Sequence, residues 1–165
     1  MRISHIFRAA FIAAAVAFCA ANAESNAQIL VKKGELGSSK GDSKIFTGDV
    51  KVSRMFGGAD YRAFGGALVE FSAGARSAWH THPAGQTLIV TKGVILTATE
   101  QGVVQLASEG DVVLCPPDLR HFHGATDKQN AAHIALTGIK DGKNVVWLEK
   151  VSDKEYKEAL KKATK

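Results

Sequence analysis

From Gln28 onwards, short runs of β-branched and other apolar residues alternate with glycine-containing segments along the chain. The runs that fit strands cover residues 29–31, 44–55, 67–71, 78–82, 87–91, 94–99, 103–106, 112–114, 132–136 and 145–148. The intervening glycines lie where tight turns and left-handed backbone are needed. Short strands at such spacing are typical of an all-β sandwich or barrel, so we predict one all-β domain.

Helical periodicity occurs only at the end of the chain. Ser152 and Glu155 have the spacing of a capping box, in which each side chain satisfies a backbone amide of the other. The apolar residues that follow recur on one helical face: Tyr156, Ala159, Leu160 and Ala163. We therefore predict that an amphipathic C-terminal helix closes the domain.

The N-terminal residues have the features of a bacterial export signal. Arg2 and Arg8 are followed by an apolar stretch over residues 9–21, and residues 21–23 read Ala-Asn-Ala. This stretch is shorter than the roughly 18 residues of a membrane-spanning helix, so we predict cleavage after Ala23 and no stable membrane insertion afterwards. Lipoprotein processing before Cys19 is a weaker alternative because bulky Phe18 precedes it.

This interpretation divides the chain into a signal peptide (1–23), an N-terminal extension (24–42) and a single domain with its helix (43–165). Removal of the signal lowers the formal charge from +5 to +3, and no basic stripe remains, so we expect no nucleic-acid partner. Cys115 would then be the one remaining cysteine and could form no internal disulfide. Its apolar neighbours predict a buried, unreactive side chain.

The five histidines that follow the signal all lie within residues 80–133. Because side chains i and i+2 of a strand point to one face, His80 and His82 share a face, and His121 and His123 can do the same. Imidazoles held in this way are ligands for divalent transition metals. A single pair of this kind is also found among surface or hydrogen-bonded core histidines, so the spacing alone leaves both interpretations open.

Glycines and possible ligands recur at fixed intervals in residues 74–93, at Gly74, His80, His82, Gln86 and Gly93. This spacing resembles the first motif of the cupin superfamily, with Gln86 in place of the usual glutamate. Gly110, Pro116 and His121 resemble the second motif. Asp118 and Ala125 stand there in place of its usual glycine and asparagine.

Residues 75–91, 110–113, 121–125 and His133 are similar to the bacterial cupin-type hydroxynitrile lyases, a likeness that covers roughly residues 43–156. The resemblance implies a small double-stranded β-helix barrel, commonly dimeric, and a small-molecule substrate. It also implies a metal, most often Mn²⁺, with Fe²⁺, Ni²⁺, Co²⁺ and Zn²⁺ as alternatives. The ligands it implies are His80, His82, Gln86 and His121.

The remaining two histidines are less constrained by the motifs. The resemblance implies that His133 is an acid/base beside the metal, although its apolar strand is also compatible with a core histidine. His123 fits a fifth ligand, a hydrogen-bonded core residue or a residue that supports the ligands from behind, and we favour the last. Trp79 and Phe122 alternate with the histidines and are expected to pack in the core.

Three functions are compatible with these features. The first is an exported metal-dependent lyase that cleaves or forms cyanohydrins, located in the periplasm or secreted. The second is a metal-dependent dioxygenase, which oxygen uptake would distinguish. The third is a periplasmic cupin that binds a small molecule without turnover. One scaffold hosts all of these activities, so fold and metal site are constrained more closely than the reaction.

Overall fold

The computed structural model describes residues 28–164, and from Val31 these form one compact unit. The predicted signal peptide, its cleavage site before Glu24 and the alternative Cys19 lie outside the described residues. Within the described part, no helix is both long and apolar enough to cross a bilayer.

Thirteen strands and one helix make up this part of the chain. The strands are β1 Ser38–Lys40, β2 Phe46–Thr47, β3 Val50–Phe56, β4 Phe64–Phe71, β5 Arg76–Ser77, β6 His80–Thr81, β7 Gln86–Lys92, β8 Val94–Thr99, β9 Val104–Ser108, β10 Val112–Cys115, β11 His121–Ala125, β12 Ala131–Gly138 and β13 Val146–Trp147. The helix is α1 Asp153–Ala163. The prediction of an all-β fold with a C-terminal helix is confirmed.

The strands form two antiparallel sheets. The six-stranded sheet has the order β1-β3-β4-β12-β7-β10. The seven-stranded sheet runs β13-β6-β11-β5-β2, and β11 also pairs with β8, which continues to β9. This double layer is the predicted double-stranded β-helix.

The main core contains residues of both sheets. Val69, Phe71 and Val90 come from the six-stranded sheet, and Phe46 and Ile95 come from the seven-stranded sheet. A second cluster packs α1 against the seven-stranded sheet through Trp79, Leu96, Ala98, Phe122, Val151, Tyr156 and Ala159. Because Phe122 is used by this second cluster, the histidines on either side of it in β11 point to the opposite face.

Helix α1 is fixed at its first turn. Ser152 caps it, and both hydrogen bonds of the predicted capping box with Glu155 are present. The buried Arg76 donates to the carbonyl of Val151 at 3.0 Å and to Asp153 at 2.6 Å. The core roles predicted for Trp79 and Phe122 are confirmed by a ring contact with centroids 5.0 Å apart.

The strand boundaries differ from the predicted runs at the N-terminal side. Residues 29–31 form no strand, and the run 44–55 is divided into β2 and β3 by Gly48, whose φ of +79° favours glycine. Strand β1 was not predicted, because Ser38–Lys40 is polar and exposed and has no apolar face. It pairs with β3, with Ser39 opposite Val52, so the end of the predicted extension belongs to the six-stranded sheet.

Candidate metal centre

Three buried histidines meet at the junction of β6 and β11. His80 lies directly opposite His121 in the strand pairing, and their ring centroids are 4.3 Å apart. His82, just after β6, lies with its ring centroid 5.0 Å from that of His80. One ring nitrogen from each can be chosen so that all three lie within 4.8 Å of one another. Metal–nitrogen bonds are about 2 Å long, so opposite ligands lie about 4 Å apart and one ion can bridge this group.

The other nitrogen of each of these rings is held by the main chain. The Nδ1 atoms of His80, His82 and His121 lie 2.9, 2.6 and 2.9 Å from carbonyl oxygens, and the acceptors are Ala78, Asn144 and Leu119. A carbonyl oxygen only accepts, so each Nδ1 carries the proton and each Nε2 keeps its lone pair. The main chain thereby fixes the tautomer that binds metals.

Buried atoms without partners test whether a metal fits. His82 Nε2, His121 Nε2 and Gln86 Oε1 are buried and have no hydrogen-bond partner within residues 28–164. Gln86 Nε2 donates to Thr137 Oγ1 at 3.1 Å, which leaves the amide oxygen as the free acceptor. Buried polar atoms that remain unpaired are costly, and a cation would satisfy all three. The donor set of imidazole nitrogens and an amide oxygen suits a divalent transition metal.

The three rings are neutral near pH 7. Burial is the main cause that lowers the pKa of His121 to about 4, and it lowers the pKa values of His80 and His82 in the same direction. The carbonyl of Asn144 and the side chain of Gln86 partly oppose this effect at His82. Neutral imidazoles do not have to lose a proton before they bind a cation.

The loop after β10 explains one departure from the second cupin motif. Asp118 stands where that motif has glycine, and its φ is +60°, in the left-handed region that glycine adopts without strain. Aspartate tolerates this conformation better than most residues. The Asp118 amide donates to the carbonyl of His82 at 2.9 Å, so the loop ties the two histidine segments together.

The cluster opens into a cavity of about 540 Å³ between the sheets. His80, His82 and Gln86 line it, and so do His123 and His133. Its apolar surface includes Phe46, Val52, Val69, Ala135 and Trp147, and its outer part includes residues 36–42. The cavity can hold a small organic molecule beside the three histidines.

His123 and His133 form a second pair of imidazoles beside the first group, and the His123 ring centroid lies 5.1 Å from that of His80. His133 Nε2 lies 3.0 Å from His123 Nδ1, and neither residue belongs to the three-histidine group. His123 is 5% exposed and His133 is 0% exposed. Burial lowers the pKa of His133 to about 3 and the pKa of His123 well below its ordinary value. Both rings are therefore neutral, and their hydrogen bond connects the cavity to the core.

Sequence analysis missed several residues that shape this site. Thr137, which orients Gln86, alternates with His133 and Ala135 along β12, so strand periodicity could have identified it. Asn144 acts through its main-chain carbonyl, for which no sequence signal exists. Trp147 of β13 lies opposite His80 of β6, and the sequence assigned it only to a strand. Arg54 lines the cavity and was also overlooked.

Cys115 behaves as its apolar neighbours predicted. It is a free thiol with 6% exposure at the end of β10. Burial raises the pKa of this thiol to about 11, so it stays protonated at neutral pH. The prediction of a buried cysteine is confirmed, and a protonated thiol is a poor nucleophile.

Comparison with known proteins agrees with this geometry. A family model described as "Cupin domain" matches residues 67–137. An (R)-mandelonitrile lyase from Granulicella tundricola is 44% identical over 124 residues, which cover 75% of this chain and 95% of the relative.

Solved structures also match. A cupin-like protein from Thermotoga maritima aligns with a TM-score of 0.70 and 33% identity over 80% of this chain and 97% of its own. The polyketide cyclase RemF from Streptomyces resistomycificus shares the fold, with a TM-score of 0.61, 14% identity, and coverage of 79% and 92%. By its motifs, its fold and its relatives, the chain belongs to the cupin family and resembles within it the cupin-type hydroxynitrile lyases.

Proposed function

We propose that this protein is an exported, mononuclear, metal-dependent lyase that cleaves or forms cyanohydrins. The observation that carries the proposal is one cavity that is lined both by members of a metal-competent histidine group and by a hydrogen-bonded imidazole pair. The 44% identity to a protein named as an (R)-mandelonitrile lyase supports the choice of reaction. Lewis acid and acid/base groups in one cavity are the two elements that such a reaction needs.

The proposed metal ligands are His80, His82, His121 and Gln86, and the proposed metal is Mn²⁺. When bound, such an ion supplies Lewis acidity at the substrate oxygen. The three imidazoles and the amide are neutral, so they cancel none of the dipositive charge. Because the Gln86 amide nitrogen donates to Thr137, the amide oxygen is directed away from β12 and is free to act as a metal ligand.

The proposed acid/base is His133, acting through its hydrogen bond with His123. In cyanohydrin cleavage the imidazole pair takes the hydroxyl proton, and the bond between the carbinol and nitrile carbons breaks. The electron pair of that bond leaves with cyanide, and the hydroxyl oxygen becomes the aldehyde carbonyl. The two imidazoles then return the proton to cyanide, which gives hydrogen cyanide.

Burial keeps this pair neutral. A histidine whose pKa is lowered to about 3 carries one ring proton at neutral pH and keeps a lone pair on the other ring nitrogen that can accept a proton. Both rings line the cavity, so His133 can exchange the proton with the substrate while His123 supports it through their hydrogen bond.

A direct assay tests the reaction. Protein loaded with Mn²⁺ should release benzaldehyde from mandelonitrile, lose this activity with a chelator and regain it with Mn²⁺. The same preparation should consume no oxygen, whereas a dioxygenase would. Absence of turnover with mandelonitrile and related cyanohydrins, in protein with full metal occupancy, would contradict the proposal and favour a binding role.

Export is proposed on the sequence of residues 1–23. Mass spectrometry of protein recovered from the periplasm or medium of an expressing bacterium should find Glu24 at the N-terminus. An intact Met1 or a lipidated Cys19 would contradict the assignment.

A homodimer is proposed from the family resemblance. Apolar side chains exposed on and near the edge strand β10 and on β4 are consistent with a subunit contact, including Leu114, Val112 and Phe64. Light scattering coupled to size-exclusion chromatography should give twice the monomer mass. Leu114→Lys should shift the mass toward the monomer, and a monomeric wild-type protein would contradict the proposal.

A further inference from the structure

Arg54 places a positively charged side chain in the wall of the cavity. Strand β3 alternates, so Val50, Val52 and Arg54 share its inner face, and Val52 and Arg54 line the cavity. The Arg54 amide donates to the carbonyl of Gly37 at 3.1 Å, which fixes the strand beside the outer part of the cavity. Arg54 itself is exposed, as expected of a residue at the mouth.

The neighbouring strands leave room between this cation and the histidines. Arg54 is paired with Ala67 of β4, and Ala67 is paired with Ala135 of β12. One row further along the same strands, Val52, Val69 and His133 occupy the corresponding positions. The side chains of Ala67 and Ala135 are single methyl groups. They leave space beside Arg54 through which a ligand can reach the guanidinium.

Other charges near the mouth are already engaged, whereas Arg54 is not. Lys40 pairs with Asp49 at 3.1 Å. The carboxylate of Asp42 accepts a hydrogen bond from the Lys44 amide at 2.8 Å. Within residues 28–164, the Arg54 guanidinium makes no ion pair and no hydrogen bond.

We propose that Arg54 selects substrates that carry a carboxylate. This inference rests on the proposed function and deepens it: the substrate would be a small organic acid whose reacting oxygen faces the histidine group while its carboxylate faces Arg54. A planar guanidinium can bind a carboxylate with two parallel hydrogen bonds. The apolar lining of the cavity, including Val69 and Trp147, accommodates the uncharged middle of such a molecule.

Binding of two probes of nearly identical shape tests the inference without turnover. Calorimetry would compare 4-formylbenzoate with its neutral analogue 4-formylbenzamide, in protein with and without Mn²⁺. The wild-type protein should bind the carboxylate about tenfold more tightly, the effect of a charge-assisted hydrogen bond at a partly solvated site. This preference should persist without metal and weaken at high salt.

Substitutions at the mouth of the cavity test whether Arg54 causes the preference for the carboxylate probe. R54Q should abolish it, and R54K should keep part of it because the charge remains without the planar fork. The matched control K40Q removes a cation that is already paired with Asp49, and it should leave the preference unchanged. D42N should increase the preference, because it removes the one carboxylate among the described residues that line the cavity.

Two outcomes would overturn the inference. The first is a preference that survives in R54Q with thermal stability near that of wild type. The second is a preference that disappears with the metal, because the carboxylate would then bind the ion. Cyanohydrin turnover is measured separately, so a failed lyase assay with an intact preference would contradict only the reaction. Turnover with no preference would contradict only the role of Arg54.

Discussion

The two groups of histidines in this cavity consist of the same side chain but differ in what holds the second ring nitrogen. In His80, His82 and His121, each Nδ1 is bound to a main-chain carbonyl, which fixes the tautomer. In the pair His123 and His133, the ring nitrogens bind each other, and either ring can be the donor. All five rings are buried and have lowered pKa values.

This difference shows that burial alone does not decide the chemistry of a histidine. A main-chain carbonyl can accept a proton only as a hydrogen bond, so it holds each ring in one tautomer and one orientation. The first group is therefore suited to hold an ion in fixed geometry. A hydrogen bond between two imidazoles can reverse its direction when a proton moves, so the second group is suited to proton exchange. The comparison therefore predicts that substitutions in the two groups have separable effects.

The largest effect is expected when the carbonyl-held group is removed. The H80A/H82A double variant should lose nearly all bound metal and all metal-dependent turnover, because two donors of the same cluster are lost. The metal content, measured by mass spectrometry, should fall from about one ion per chain to background. H133A, measured in parallel, should keep its metal, and full metal occupancy in the double variant would refute the proposed centre.

Substitution in the second group should separate chemistry from metal binding. H133A should keep metal content near wild type while turnover of mandelonitrile falls roughly a hundredfold to ten-thousandfold, the usual contribution of a proton-transfer group. H123A should show a comparable loss if the pair acts together. Joint loss of metal and activity would identify His133 as a ligand, and unchanged turnover in a folded, metal-loaded variant would exclude it from the mechanism.

The metal-free protein should become less stable as the pH falls. The pKa of His121 is about 4 in the folded protein and about 6.5 in the unfolded chain, so protons bind preferentially to the unfolded state between these values. Its contribution is complete above pH 6.5 and falls by about 3 kcal/mol by pH 4. Urea unfolding at several pH values measures the slope, and H121Q should reduce it; an equal slope in both proteins would contradict this cause.

The smallest effect is expected when the charge of the fourth proposed ligand, Gln86, is changed. Q86E should retain metal, because glutamate is also an oxygen donor, but its negative charge should weaken the Lewis acidity of the ion. We expect turnover to fall about tenfold at similar metal occupancy, and we expect T137V to loosen metal binding by about the same factor because it frees the amide. Higher turnover in Q86E would show that the neutral amide serves another purpose.

The fold and the histidine positions were predictable because they depend on local rules. Alternation along a strand places His80 and His82 on one face. Their convergence with His121 was implied by the resemblance to the cupin motifs, and the structure shows it. The capping box of α1 likewise depends only on the spacing between Ser152 and Glu155. The shared face of His80 and His82 and the capping box each depend on only a few consecutive residues.

The features that could not be predicted depend on distant main-chain atoms. The carbonyl that holds His82 comes from Asn144, 62 residues later in the chain, and any residue could supply it. Strand β1 is polar, so neither its pairing with β3 nor its place beside the cavity has a hydrophobic signature. The hydrogen bond between His123 and His133 depends on how the two sheets meet.

Strand β1 also affects how this protein could diversify. It joins the six-stranded sheet through main-chain hydrogen bonds, and its three side chains are exposed, so the residues there can change at little cost to stability. The same segment borders the mouth of the cavity, where a new side chain would meet an incoming molecule before it reaches the histidines. Substitutions in Ser38–Lys40 can therefore alter which molecules are admitted while the metal ligands stay as they are.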